Sequence, residues 1–87
     1  MRIINEYSAP TPEDLMQLKD RLGMTGNQMA DLAGLAGGEQ WRKYTGGKTP
    51  RSMSAQMLFY IAAQLVLEPK QIDSIVAKMR ELGAEII

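Results

Sequence analysis

Residues 24–47 read MTGNQMADLAGLAGGEQWRKYTGG, and this stretch decides the fold. Thr25 can cap a short helix in which Met29, Ala30 and Leu32 or Ala33 would face inward. Gly34 is well placed for a left-handed turn residue, because a residue without Cβ reaches positive φ at no steric cost. A loop, Ala36-Gly37-Gly38, leads to a second short helix from about Glu39 to Thr45. Trp41 and Tyr44 share one face of it, and Gly46-Gly47 stops it. Ala30 allows the two helices to cross closely, and Met29, Leu32, Leu35, Trp41 and Tyr44 would lock them together. That is a helix-turn-helix pattern.

The flanks read as three more helices. Thr11-Pro12-Glu13-Asp14 is a helix start, with a capping residue, proline at the first position and acids at the positive end of the dipole. Leu15, Leu18 and Leu22 recur at helical spacing, and Gly23 ends the segment. Ser52 or Ser54 opens a fourth helix through about Val66, with a stripe of Met57 or Leu58, Ile61, Ala62 and Leu65. Pro69 starts a fifth, with Ile72, Ile75, Val76, Met79 and Leu82 on one face and Gly83 at its end. Only Arg2–Tyr7 hints at strand alternation. The expectation is an all-α fold of five short helices.

Eighty-seven residues make one domain with a modest core, so dimerisation is a reasonable prior. The chain has no cysteine and no histidine, which excludes disulfides, thiol chemistry, ordinary zinc sites and imidazole catalysis. Arg2 is followed by only two apolar residues before Asn5 and Glu6, so no signal peptide is read and the cytoplasm is the expected location. The uncharged run Ser52–Leu67 is too short to span a membrane and is broken by Ser54, Gln56 and Gln64. Net charge is zero, yet positive charge is concentrated: residues 36–52 carry Arg42, Lys43, Lys48 and Arg51 against Glu39 alone. Asp73, Glu81 and Glu85 share a helix with Lys70, Lys78 and Arg80, which reads as a solvated surface. Met57 and Met79 read as core filling. No paired acids, nucleophile or base suggests catalysis, so neither an enzyme nor a cofactor is expected.

Gly47-Lys48-Thr49 looks like the end of a phosphate-binding P-loop. That motif needs glycine five residues earlier and a preceding strand, and Arg42 within a helix stands there instead. The basic stretch therefore fits a nucleic-acid binder better than a nucleotide enzyme. Trp41 and Tyr44 could stack on bases, but aromatics three apart on a short helix are more often core.

Over residues 12–67 the chain resembles the Cro/repressor (XRE) family of helix-turn-helix DNA-binding domains. The resemblance rests on LKDRLGMTGNQMADLAGL, EQWRKYTGGKTP and SAQMLFYIAAQL, and the small regulators of phages and mobile elements are its nearest type. It implies a lambda-repressor-like domain at 11–67, an N-terminal arm at 1–10 and an extra C-terminal helix at 68–87 for dimerisation. It also implies a dimeric transcriptional regulator, such as a phage repressor, bound to double-stranded DNA. Gly38, Glu39, Gln40, Arg42 and Lys43 would face the major groove. Lys48, Thr49, Arg51 and Ser52 would contact phosphates, joined by Asn27 and Gln28 because Gly26 occupies the family's usual glutamine position. Ile72, Ile75, Val76, Met79 and Leu82 would form the dimer interface. The alternative is an interaction module on the same scaffold, such as an inhibitor of a host protein or an antitoxin-like partner; the neutral charge and Glu39 favour it.

Overall fold

A computed structural model describes residues 2–87. It contains five helices: α1 (Pro12–Leu22), α2 (Gly26–Ala33), α3 (Gly38–Thr45), α4 (Ala55–Val66) and α5 (Pro69–Glu81). No strand forms among the described residues, Arg2–Tyr7 included. The all-α expectation holds, and the starts of α1, α2 and α4 have a local chemical cause. Thr11 Oγ1 accepts from Asp14 N at 3.1 Å while Asp14 Oδ2 accepts from Thr11 N at 2.9 Å, a reciprocal capping box. Thr25 and Gln28 repeat the arrangement at α2, at 3.2 and 2.8 Å. Of the two serines before α4, Ser54 is the cap: its Oγ accepts from Met57 N at 3.1 Å. The ends of α1 and α2 are equally specific. Gly23 (φ 63°) and Gly34 (φ 75°) take the left-handed conformation. Leu35 N then turns back to donate to Ala30 O at 2.8 Å, closing α2 just before the turn.

Leu15, Met29, Ala30, Ala33, Trp41, Met53 and Ile61 are buried and form the core. Each large side chain among them contributes about 1.5–3 kcal/mol of burial. Ala30 has no exposed surface, as expected of the residue that lets α2 and α3 approach. Met53 is fully buried although it lies outside any helix, in the segment between α3 and α4. Tyr7 Oη donates to Met53 O at 2.6 Å, tying the N-terminal arm to that plug. Burial raises the Tyr7 phenol pKa above its ordinary value.

The α4 stripe is narrower than its pattern suggests. Ile61 is buried and Met57 and Leu58 pack partly against the core, but Ala62 and Leu65 are exposed. Leu65, one turn beyond Ile61, is left uncovered. Gln64, one residue earlier, takes up the contact there, donating from Nε2 to Leu32 O at 2.8 Å and to Tyr60 O at 3.0 Å.

No residue of α5 is buried. Ile72 and Val76 are half-covered, whereas Ile75, Met79 and Leu82 are exposed, so Met79 does not fill the core. The Cα radius of gyration is 14.3 Å, against about 12 Å for a compact domain of this length. The surplus reflects an arm and a fifth helix laid on the outside of a four-helix core. Asp73, Glu81 and Glu85 are exposed, and Lys78 Nζ pairs with Glu81 Oε1 at 3.0 Å. Among the described residues no acidic cluster could hold a metal ion. No helix there is long and apolar enough to cross a membrane.

Candidate nucleic-acid interface

The α2–α3 pair is held at its open end by one side chain. The cap residue of α3, Gly37, has no side chain to offer the first turn. Asn27, on α2, supplies the missing acceptor: its Oδ1 takes the hydrogen bond from Gly38 N at 2.9 Å. The approach is close. A Cβ added at Gly38 would lie 2.9 Å from that oxygen and 3.4 Å from Asn27 N. Gly38 is therefore buried between the helices rather than turned toward a groove, which corrects its expected role in base contact. Gly26 is the second close point; its added Cβ would meet Gly38 Cα at 3.8 Å and Arg42 Nη1 at 3.9 Å. The Arg42 guanidinium thus lies across the amino end of α2.

Asn27 and Gln28 are also more constrained than expected. The Asn27 oxygen caps α3 and the Gln28 oxygen caps α2. Their amide NH2 groups are the ends left to donate to an outside acceptor.

Along α3 the inward and outward faces separate cleanly. Trp41 is buried and Tyr44 half-buried, so the indole is core and not a stacking platform. The Trp41 Nε1 donor is buried without a hydrogen-bond partner. Glu39, Arg42 and Lys43 are exposed, and Gln40 is half-exposed beside them. The chain after α3 stays against this face, because Arg51 N donates to Lys43 O at 2.8 Å. Lys48, Thr49, Arg51 and Ser52 are all exposed on the segment so pinned. Gly47 (φ 83°) makes the bend that lets the segment return. Since α3 precedes Gly47, the P-loop context of strand and glycine loop is missing.

Lys19 joins the site from α1. An open cleft of about 730 Å³ is lined by Lys19, Gly26, Glu39, Arg42 and Lys43 among others. Nothing in the local pattern points to this, since a lone lysine in the last turn of α1 is an ordinary partner of the helix dipole. Only the packing of α1 on α3 brings it round. The cleft brings Lys19, Arg42 and Lys43 together beside the carboxylate of Glu39, and Lys48 and Arg51 are exposed on the segment that follows α3. The amino end of α2 adds first-turn N–H groups and the positive end of a helix dipole. Exposed cations gathered on one face raise the local positive potential there. Comparison with known proteins returns no matching family model, no similar curated protein and no similar solved structure.

Proposed function

We propose that this chain is a sequence-specific DNA-binding regulator that inserts α3 into the major groove as a two-fold dimer. One observation carries the reading. Arg42 and Lys43 are exposed on α3 where Trp41 beside them is buried, while Asn27 fixes the start of that helix to the amino end of α2. A short, rigidly mounted helix with exposed donors is what direct readout needs. Glu39, Gln40, Arg42 and Lys43 are assigned to base edges, with Glu39 able to accept from a cytosine amino group. Lys19, Lys48, Thr49, Arg51, Ser52 and the amides of Asn27 and Gln28 are assigned to phosphates, which position the domain without reading sequence. A dimer would read two half-sites about 34 Å apart. Discrimination between sequences falls to α3, since the phosphate contacts carry no sequence information.

The test is selection of bound duplexes from a fragment pool, then mobility shift against heparin. Arg42→Ala should weaken the selected site by about 1–3 kcal/mol and relax preference at one position. Lys48→Ala should weaken all sequences alike and reduce the salt slope by about 0.9. If both variants bind a selected site as the wild type does, the groove assignment is wrong. If the wild type enriches no duplex, the protein-interaction reading replaces this one.

A further inference from the structure

The outer face of α4 is unusual for a surface. Ser52–Leu67 contains no charged residue over sixteen positions, yet the side of α4 turned away from the core is open. Phe59 lies about 160° around the helix from buried Ile61, and Phe59 and Tyr60 are each about half exposed. They are not isolated. With Ile3 and Ile4 of the arm, Ala63 of α4 and Ile75 of α5 they line one open groove of about 830 Å³. Met79 continues the apolar line one turn along α5 from Ile75 and is also half exposed.

We infer that this groove is the self-association surface, so that a second copy of the chain docks on arm, α4 and α5 together. This deepens the dimeric reading above, and it moves the interface from the α5 stripe to a composite face centred on Phe59 and Tyr60. Two arguments select a second copy as the occupant. The first is area. Taking about 150–250 Å² for each aromatic side chain and somewhat less for each aliphatic one, the patch exposes about 600 Å² of apolar surface. A standard interface takes about 800 Å² per partner, and a homodimer's is about 65% apolar, or roughly 520 Å². The second is charge. A two-fold axis pairs a patch with itself, so a patch of one sign would repel its own copy. This one is lined by a single charged residue, Arg2, at its edge, and the whole chain is neutral, so two copies meet without repulsion. The groove also shares no lining residue with the cleft beside Arg42, so both surfaces can be occupied at once.

Analytical ultracentrifugation of the full chain should give a dimer at micromolar concentration. Phe59→Lys and, on a different helix, Ile75→Lys should each weaken dimerisation about thirtyfold or more, with helical circular dichroism unchanged. Phe59 is the only phenylalanine, so a chain carrying 4-fluorophenylalanine has one fluorine resonance, which should move on dilution through the dissociation range. A wild-type chain that is monomeric at ~100 μM, a concentration generous for a standard-size interface, overturns the inference. So does a dimer whose fluorine shift is fixed on dilution or whose variants dissociate no more readily. Salt-dependent duplex binding on the same samples separates the two readings. A dimer that uses the groove but binds no duplex sinks the DNA reading alone. Duplex binding by a chain that never dimerises sinks this inference alone.

Discussion

Removing the Asn27 carboxamide should loosen α3 from its support on α2, and the size of the effect can be worked out. In Asn27→Ala the Gly38 N–H, at the buried start of α3, loses its acceptor at 2.9 Å. A buried donor left unpaired costs about 1–3 kcal/mol. No side chain at Gly37 can take over, so the expected cost is about 1–2 kcal/mol, a fall of roughly 4–16 °C in the melting midpoint of so small a domain. Gly38→Ala attacks the same bond from the other side. Its Cβ would stand 2.9 Å from Oδ1, the far end of a rotatable side chain, so Asn27 can swing away. That loses the hydrogen bond but gains up to about 1 kcal/mol of helix propensity. The two substitutions therefore share one loss, and the double variant should be less destabilised than the sum of the singles by about 1 kcal/mol. Urea unfolding followed by circular dichroism measures all four corners of the cycle. Strict additivity, or an Asn27→Ala cost under about 0.3 kcal/mol, would show that the cap does not fix the α2–α3 angle.

Trp41 emission should be blue-shifted in the native chain and move to the red on unfolding. Trp41→Ala should cost about 3–5 kcal/mol, whereas Trp41→Phe should cost much less, because it also removes the unpartnered Nε1 donor. Tyr7→Phe should cost about 1 kcal/mol through loss of the Met53 bond. Because the folded Tyr7 pKa is raised, this contribution is complete below pH ~10, the ordinary phenol value, and fades as pH rises through the folded value; Tyr7→Phe should flatten the alkaline limb of stability. Asp14 behaves oppositely. Hydrogen bonds from the Thr11 backbone N–H and then the Thr11 side chain hold its pKa below the usual carboxylate value, with Arg21 adding a smaller attraction. Its contribution is present above about pH 4 and is lost as pH falls through the depressed value, so Asp14→Asn should reduce the acid sensitivity of the melting midpoint.

The parts of this fold that were legible in the sequence are those fixed locally. Capping residues, glycines that must take positive φ and apolar periodicity located all five helices, because each signal acts within one turn of chain. Met53 escaped because its burial depends on the arm, α3 and α4 closing over a segment with no period of its own. Gly38 is placed at the groove only by the resemblance, which carries no information on how closely the two helices pack. In the structure it marks the approach of a second helix, which nothing in the local pattern announces. In the candidate site, Arg42 and Lys43 were legible from their position opposite Trp41 on a helix. Lys19 was not, because it reaches them only through tertiary packing.

The same distinction explains how a chain of zero net charge can carry a locally cationic face. Acids at helix starts are held close to home: Asp14 serves the first turn of α1, where its charge is spent on Thr11 and the helix dipole. Glu81 pairs with Lys78 on the remote α5. The cleft beside α3 is lined by Lys19, Arg42 and Lys43 with Glu39 as its one acid. At physiological salt the Debye length is about 8 Å, so a phosphate backbone at that face would feel the nearby lysines and arginines far more than distant carboxylates. The placement of charge, not its total, is therefore what bears on binding. Reversing the sign of Asp73 by Asp73→Lys, on the far helix, should change duplex affinity much less than losing Lys43 would, although the former alters net charge by two and the latter by one. Equal changes per unit charge, a gain for Asp73→Lys and a loss for removal of Lys43, would mean that only the overall monopole matters, and the face built on α3 would lose its special standing.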